Sequence, residues 1–125
     1  MVQLERGGIY YIKFPQTFDA NYKDGKEKFV LVLQEGEYFK SYNTVVVLQI
    51  TKDRHAKGYE TNVTIEYGTT KLDRESYIVC AQPYTILKSL FEDDKVWCAG
   101  VLDKTVMDDV DSALFNGLCM GQQEE

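Results

Sequence analysis

Lys28-Phe29-Val30-Leu31-Val32-Leu33-Gln34 and Thr44-Val45-Val46-Val47-Leu48-Gln49-Ile50-Thr51 are two continuous apolar runs, joined by the polar and aromatic residues 35–43. Runs of this length, rich in β-branched residues and bounded by polar segments, predict buried strands. Gly36 and Asn43 supply the turning residues between them. Paired antiparallel, the two runs bring their outer ends together. Lys28 enters the first run and Thr51 leaves the second, so a cation and a hydroxyl meet at one rim of a barrel. The rest of the chain reads as scaffold around that pair.

Before it, residues 8–14 (GIYYIKF) form a strand stopped by Pro15, and residues 16–27 form a long polar loop containing Phe18 and Tyr22. After it, residues 52–60 are basic and polar. Residues 62–67 alternate, with Val63, Ile65 and Tyr67 on one face of a half-wet strand, and residues 76–82 (SYIVCAQ) give the next strand. Nothing helical is expected before Pro83, which excludes a βαβ arrangement and favours a small antiparallel barrel. Thr85 is placed to cap a short helix over TILKSLF, and residues 96–101 read as a last strand. Asp103 is the expected N-cap of a helix over residues 104–118. Val106, Met107, Val110, Ala113, Leu114 and Leu118 form its apolar stripe, as core packing or a subunit contact.

A chain of 125 residues with 44% hydrophobic and 13% aromatic residues is read as one domain over residues 1–120 with a disordered tail at 121–125. The formal charge of −6 excludes a protein that coats nucleic acid through net charge. The acid is uneven: residues 92–125 hold nine acidic and two basic side chains. Lys23, Lys26 and Lys28 cluster before the first run, and Lys52, Arg54 and Lys57 after the second. These are solvated loops or a local anion site, not a large basic surface. Three widely spaced cysteines in apolar contexts, Cys80, Cys98 and Cys119, read as buried free thiols. No CxxC, HExxH, phosphate-loop or dinucleotide motif is present, so no metal or cofactor is expected. His55, alone in a basic loop, reads as exposed rather than as a general base. Absence of a membrane-length apolar run and of a signal pattern at residues 1–7 makes a cytoplasmic protein the expectation.

Set in order, the pieces resemble the MazF/PemK toxin family of endoribonucleases. Arg6-Gly7-Gly8-Ile9-Tyr10 resembles the family's opening strand, Lys28–Gln34 its "RPVLVIQ", and Thr44–Thr51 its third strand with the closing "IT". Asp73-Arg74-Glu75-Ser76 through Lys88 is similar to "RDSVILLEQIRTIDK", and residues 107–114 to the closing "MxxVDxAL" helix. The resemblance implies an SH3-like antiparallel barrel with a C-terminal helix. It implies a homodimer that cuts single-stranded RNA by 2′-hydroxyl attack without metal, and a cognate antitoxin peptide as inhibitor. The family's catalytic arginine and threonine fall on Lys28 and Thr51, and its "RG" opening makes Arg6 a candidate phosphate contact.

Lysine at 28 keeps the charge of the family arginine and loses its planar fork. Tyr84 replaces a second arginine, and Gly8 and Ala81 replace two acids. For base recognition, Phe18, Tyr22, Tyr38, Phe39, Tyr42 and Tyr59 are interleaved with basic residues; the set at 38–42 serves equally as a barrel plug. Lys26, Arg54 and Lys57 would supply the electrostatic rim. The alternative reading is a catalytically weak or inactive barrel of this kind, binding nucleic acid or protein.

Overall fold

The computed structural model of the chain describes residues 3–15 and 25–120. Seven strands make one antiparallel sheet: β1 (Gly8–Phe14), β2 (Lys26–Val32), β3 (Thr44–Thr51), β4 (Asn62–Ile65), β5 (Ser76–Val79), β6 (Tyr84–Leu87) and β7 (Trp97–Val101). A single helical turn, α1 (Glu37–Lys40), lies between β2 and β3, and the helix α2 (Lys104–Gly117) closes the chain. The strand order is β4-β5-β3-β2-β1-β7, with β6 paired to β3. The sheet curls into a half-barrel organised on β3. One edge of β3 takes β2; the other takes β6 along Thr44–Val47 and β5 along Ile50–Thr51.

Both central strands are buried on both faces, which is why their sequences run apolar instead of alternating. Ile9, Leu31, Leu48, Ile50 and Ile78 point to one side, where Met107, Val110 and Ala113 of α2 cover them. Tyr10, Ile12, Phe14, Val30, Val32, Val45 and Val47 point to the other, against Ile86, Phe91 and Val96. Beyond Val32 the pairing persists: Leu33 N–H donates to the Val46 carbonyl at 3.1 Å, and Val46 N–H donates to Gln34 Oε1 at 2.7 Å. The first apolar run therefore works through Gln34, although the regular strand begins earlier, at Lys26, and ends at Val32.

Arg6 ties the helix to the sheet. Its guanidinium donates to the Leu33 carbonyl at 2.8 Å and to both carboxylate oxygens of Asp111 at 2.6 Å. Gly7, with φ 86°, turns the chain so that its N–H reaches Val32 and its carbonyl accepts from Leu102. At Gly8 a Cβ would lie 2.6 Å from the Tyr10 ring. That ring is fixed by its hydroxyl, which donates to the Gln3 carbonyl and accepts from Glu5 N–H. A side chain at position 8 therefore conflicts with Tyr10.

Asp103 caps α2 as expected, accepting from Val106 N–H at 3.0 Å. Several expectations are corrected. Residues 85–91 are not one short helix: Tyr84–Leu87 is a strand, and only Lys88–Phe91 turns, as 3-10. The first half of β3 offers an edge that β6 satisfies through Val45↔Ile86 and its neighbours, and Ile86 gains core burial that an isolated turn could not provide. A helical turn does occur before Pro83, at α1. There Phe39 packs on the core, its carbonyl accepts from Lys88 Nζ at 2.7 Å, and that ammonium sits 3.8 Å from its ring centroid. Phe39 is thus a plug, whereas Tyr42 is exposed. β4 stops at Ile65, so Tyr67 falls on a turn and stands 71% exposed. Leu118 lies past the last turn of α2 and is exposed, leaving the apolar stripe shorter than its sequence spacing.

The cysteines also divide. Cys80 is buried, Cys98 half-buried, and Cys119 exposed just after the helix in a left-handed conformation. Burial pushes the Cys80 thiol up to about 12, leaving almost no thiolate near neutrality. Alkylation of the native protein at pH 8 is therefore expected to label Cys119 first and Cys80 only after unfolding, read by mass spectrometry of tryptic peptides. Early labelling of Cys80 would contradict the packing described.

Candidate functional site

Lys28 and Thr51 arrive at one rim by register. Phe29 faces Ile50 across β2 and β3, so one further step sets Lys28 beside Thr51. Lys28 also lies opposite Ile12 of β1, and Thr51 opposite Tyr77 of β5. Directly opposed residues share a sheet face, so Ile12, Lys28, Thr51 and Tyr77 form one row across four strands. Both Lys28 and Thr51 are half-buried. The Thr51 hydroxyl oxygen accepts from Asp53 N–H at 3.2 Å; a hydroxyl that accepts a bond still carries its own proton as a donor.

The chain turns sharply after Thr51 because Asp53 caps the following 3-10 turn (Arg54–Gly58), accepting from His55 N–H at 3.0 Å. Those bonds, with the adjoining imidazole contact, hold the Asp53 carboxyl below its ordinary range. His55 itself has a side chain 96% exposed, in keeping with a solvated residue. The turn directs Arg54 and Lys57 toward β5. With Lys52, Arg74, Glu75 and Tyr77 they line an open cleft of about 410 Å³.

Charge in this cleft is paired but not cancelled. Lys52 Nζ is 2.5 Å from Asp73 Oδ1, Arg74 Nε 3.8 Å from the same oxygen, and Lys57 Nζ 3.1 Å from Glu75 Oε1. The Tyr77 hydroxyl donates to Glu75 Oε1 at 2.6 Å. The Lys52 ammonium lowers the Asp73 pKa, and the Tyr77 hydroxyl, then Lys57, lower that of Glu75. A depressed carboxylate contributes its pairing above the ordinary carboxylate range and loses it as pH falls through the lowered value. Four cations against two ionised carboxylates leave the cleft positive at neutral pH, on a chain whose net charge is −6. The exposed acids of α2, at Asp108, Asp109 and Asp111, lie on a different element.

Of the residues singled out from sequence, Lys28 and Thr51 lie one step beyond the last paired residues, Phe29 and Ile50, at the same rim, and Arg54 and Lys57 line the adjoining cleft. Lys26 opens β2 opposite Phe14. Arg6 does not join them: it is engaged beside Leu33, just past the end of β2 and five residues from Lys28, about 16 Å of extended chain. Phe18 and Tyr22 lie outside the described residues, as does the side chain of Tyr38. Tyr59 is 65% exposed immediately after the basic turn. Lys52, Arg74 and Tyr77 also line the cleft. Lys52 is readable in sequence only as part of the basic loop, whereas Tyr77 is found only through the β3–β5 register.

These elements define a small curled-sheet protein whose rim presents a cation, a hydroxyl and a cleft lined mainly by basic side chains. The chain belongs to the PemK-like, MazF-like toxins of type II toxin–antitoxin systems, whose family model matches residues 5–117. Comparison with curated proteins gives no match. Among solved structures, a mycobacterial endoribonuclease in complex with its cognate antitoxin superposes with TM-score 0.71 at 18% identity, covering 97% of this chain and all of the other. The Mycobacterium tuberculosis toxin MazF-mt6 gives 0.62 at 22% identity, over 87% and 96% of the two chains. A MazE–MazF crystal structure from Deinococcus radiodurans gives 0.66 at 15% identity, over 96% and 97%. At these identities the likeness is one of fold. Among the described residues no helix is long and apolar enough to cross a membrane.

Proposed function

We propose that this chain is a toxin endoribonuclease that cuts single-stranded RNA, with Lys28 and Thr51 as its catalytic pair. The observation that carries the reading is the Phe29↔Ile50 register, which sets the two residues at one rim beside a positive cleft, in a chain of the MazF-like family. In the reaction the ribose 2′-oxygen bonds to the adjacent phosphorus while the bond from phosphorus to the 5′-oxygen breaks. The 2′-hydroxyl proton passes to solvent and the departing 5′-oxygen takes one back. Negative charge gathers on the non-bridging oxygens, where a fixed ammonium and a hydroxyl donor stabilise it. The reaction needs no metal in this scheme. Arg54, Lys57 and Lys26 guide the flanking phosphates, as do Lys52 and Arg74; any phosphate contact by Arg6 would compete with Asp111.

The relatives with a MazE or a cognate antitoxin bound support a protein inhibitor for this chain too. In this reading the chain itself works as a cytoplasmic homodimer, as its family membership implies. Purified chain incubated with single-stranded RNA and a chelator is expected to give discrete fragments, while a duplex of the same sequence stays whole. Intact single strands would overturn the proposal.

The paired acids make a further prediction. Asp73→Asn removes a charge held against Lys52 and Arg74. It is expected to tighten RNA binding and to steepen the slope of log affinity against log salt by up to about 0.7, the equivalent of one added phosphate contact on a single strand. Fluorescence anisotropy across a salt series measures this, and an unchanged slope would remove the cleft from the RNA path.

A further inference from the structure

The row adjoining Lys28 and Thr51, on the opposite sheet face, is aromatic. Trp97 of β7 lies opposite Tyr11 of β1, and Tyr11 opposite Phe29 of β2. The rings touch: centroids are 4.9 Å apart for Tyr11–Phe29, 5.5 Å for Phe29–Trp97 and 6.1 Å for Tyr11–Trp97. Phe29 and Trp97 meet edge-to-face at 90°, an arrangement that leaves ring area uncovered, and Trp97 is 41% exposed. Lys52 Nζ lies 5.7 Å from the Phe29 centroid. The same lysine lines the basic cleft, so the aromatic row and the cleft are continuous.

From this continuity we infer a base-stacking platform: Trp97, Tyr11 and Phe29 receive an unpaired nucleobase of an RNA strand whose phosphates run through the Lys52–Arg74 cleft. Every nucleobase offers a π face, so an aromatic row holds single strands with little demand on sequence. Charge decides which part of the strand lies there. Beside the middle of the row the Tyr11 hydroxyl donates to Glu27 at 2.8 Å, and this carboxylate repels phosphate. At the Phe29 end Lys52 attracts it. The uncharged base therefore sits over the rings, and the backbone over the cations. The inference rests on the cleft being an RNA path, but not on the cleavage step.

Trp97 is the chain's one tryptophan, so its emission reports on the platform alone. The probe is a 2′-O-methyl single-stranded RNA, which cannot undergo 2′-hydroxyl attack, with polyphosphate as a base-free polyanion. Saturable quenching by the RNA and none by polyphosphate is expected. Trp97→Ala is expected to weaken binding roughly tenfold by anisotropy, and Trp97→Phe, which keeps a ring, by less than about threefold. RNA binding that leaves wild-type emission unchanged would overturn the inference, as would no binding at all. Emission that follows protein concentration and ignores RNA would also overturn it, assigning the row to a contact between copies. Cleavage of ordinary RNA is measured alongside. Cleavage without quenching removes the platform and keeps the nuclease; quenching without cleavage does the reverse.

Discussion

Thr51→Val is expected to lower RNA cleavage by roughly a hundred- to a thousandfold, the cost of removing one donor from a developing oxyanion. Valine keeps the β-branched shape that suits the end of β3, so the change isolates the hydroxyl. The only described native bond lost is the one from Asp53 N–H, worth about 1 kcal/mol for a neutral pair. Thermal unfolding should therefore shift by a few degrees at most while single-turnover cleavage collapses. Thr51→Ser, which restores a hydroxyl with more rotational freedom, is expected to recover most of the rate. A valine variant that cuts as fast as wild type would take Thr51 out of the chemistry.

Lys28→Arg is expected to raise cleavage by about ten- to a hundredfold, the reverse of what a missing charge-assisted hydrogen bond costs in a transition state. Arginine's planar fork grips two phosphate oxygens at once, where an ammonium acts as a point charge. Lys28→Met removes the charge altogether and is expected to cost at least a hundredfold. Position 28 is half-buried between Ile12 and the Thr51 side of the sheet, so both variants need a melting curve beside the kinetics. If arginine changes nothing and methionine is also silent, position 28 lies off the reacting phosphate. The barrel would then fit the alternative of a binding module.

The framework of the fold is legible wherever local chemistry and burial agree. β1 ends before Pro15, β3 spans Thr44–Thr51, and α2 begins after Asp103 because a capping carboxylate and an apolar stripe coincide there. Reading fails where a distant edge decides. The segment at Tyr84 has leucines at helical spacing, yet the open half of β3 takes it as a strand. Tyr67 continues an alternation that the chain abandons at Ile65. Cys119 looks buried among apolar neighbours but follows the end of the helix into solvent.

The candidate site divides along the same line. Lys28 and Thr51 are readable as a pair because they terminate two runs that must pair with each other. Arg54 and Lys57 are readable as a basic cluster. Tyr77 and the aromatic row are not, since each depends on the register of strands far apart in sequence. Arg6 shows the converse: its motif suggests a phosphate contact, while its bonds join Leu33 and Asp111.

The most direct test of the central claim is the chemistry of the ends left by cleavage. RNA would be treated with purified chain in chelator, beside the same RNA carrying a 2′-deoxy nucleotide at the cut position. The account predicts a 2′,3′-cyclic phosphate and a free 5′-hydroxyl from the first, and no cut at the deoxy position in the second. A 5′-phosphate product, or cleavage that survives loss of the 2′-hydroxyl, would contradict it.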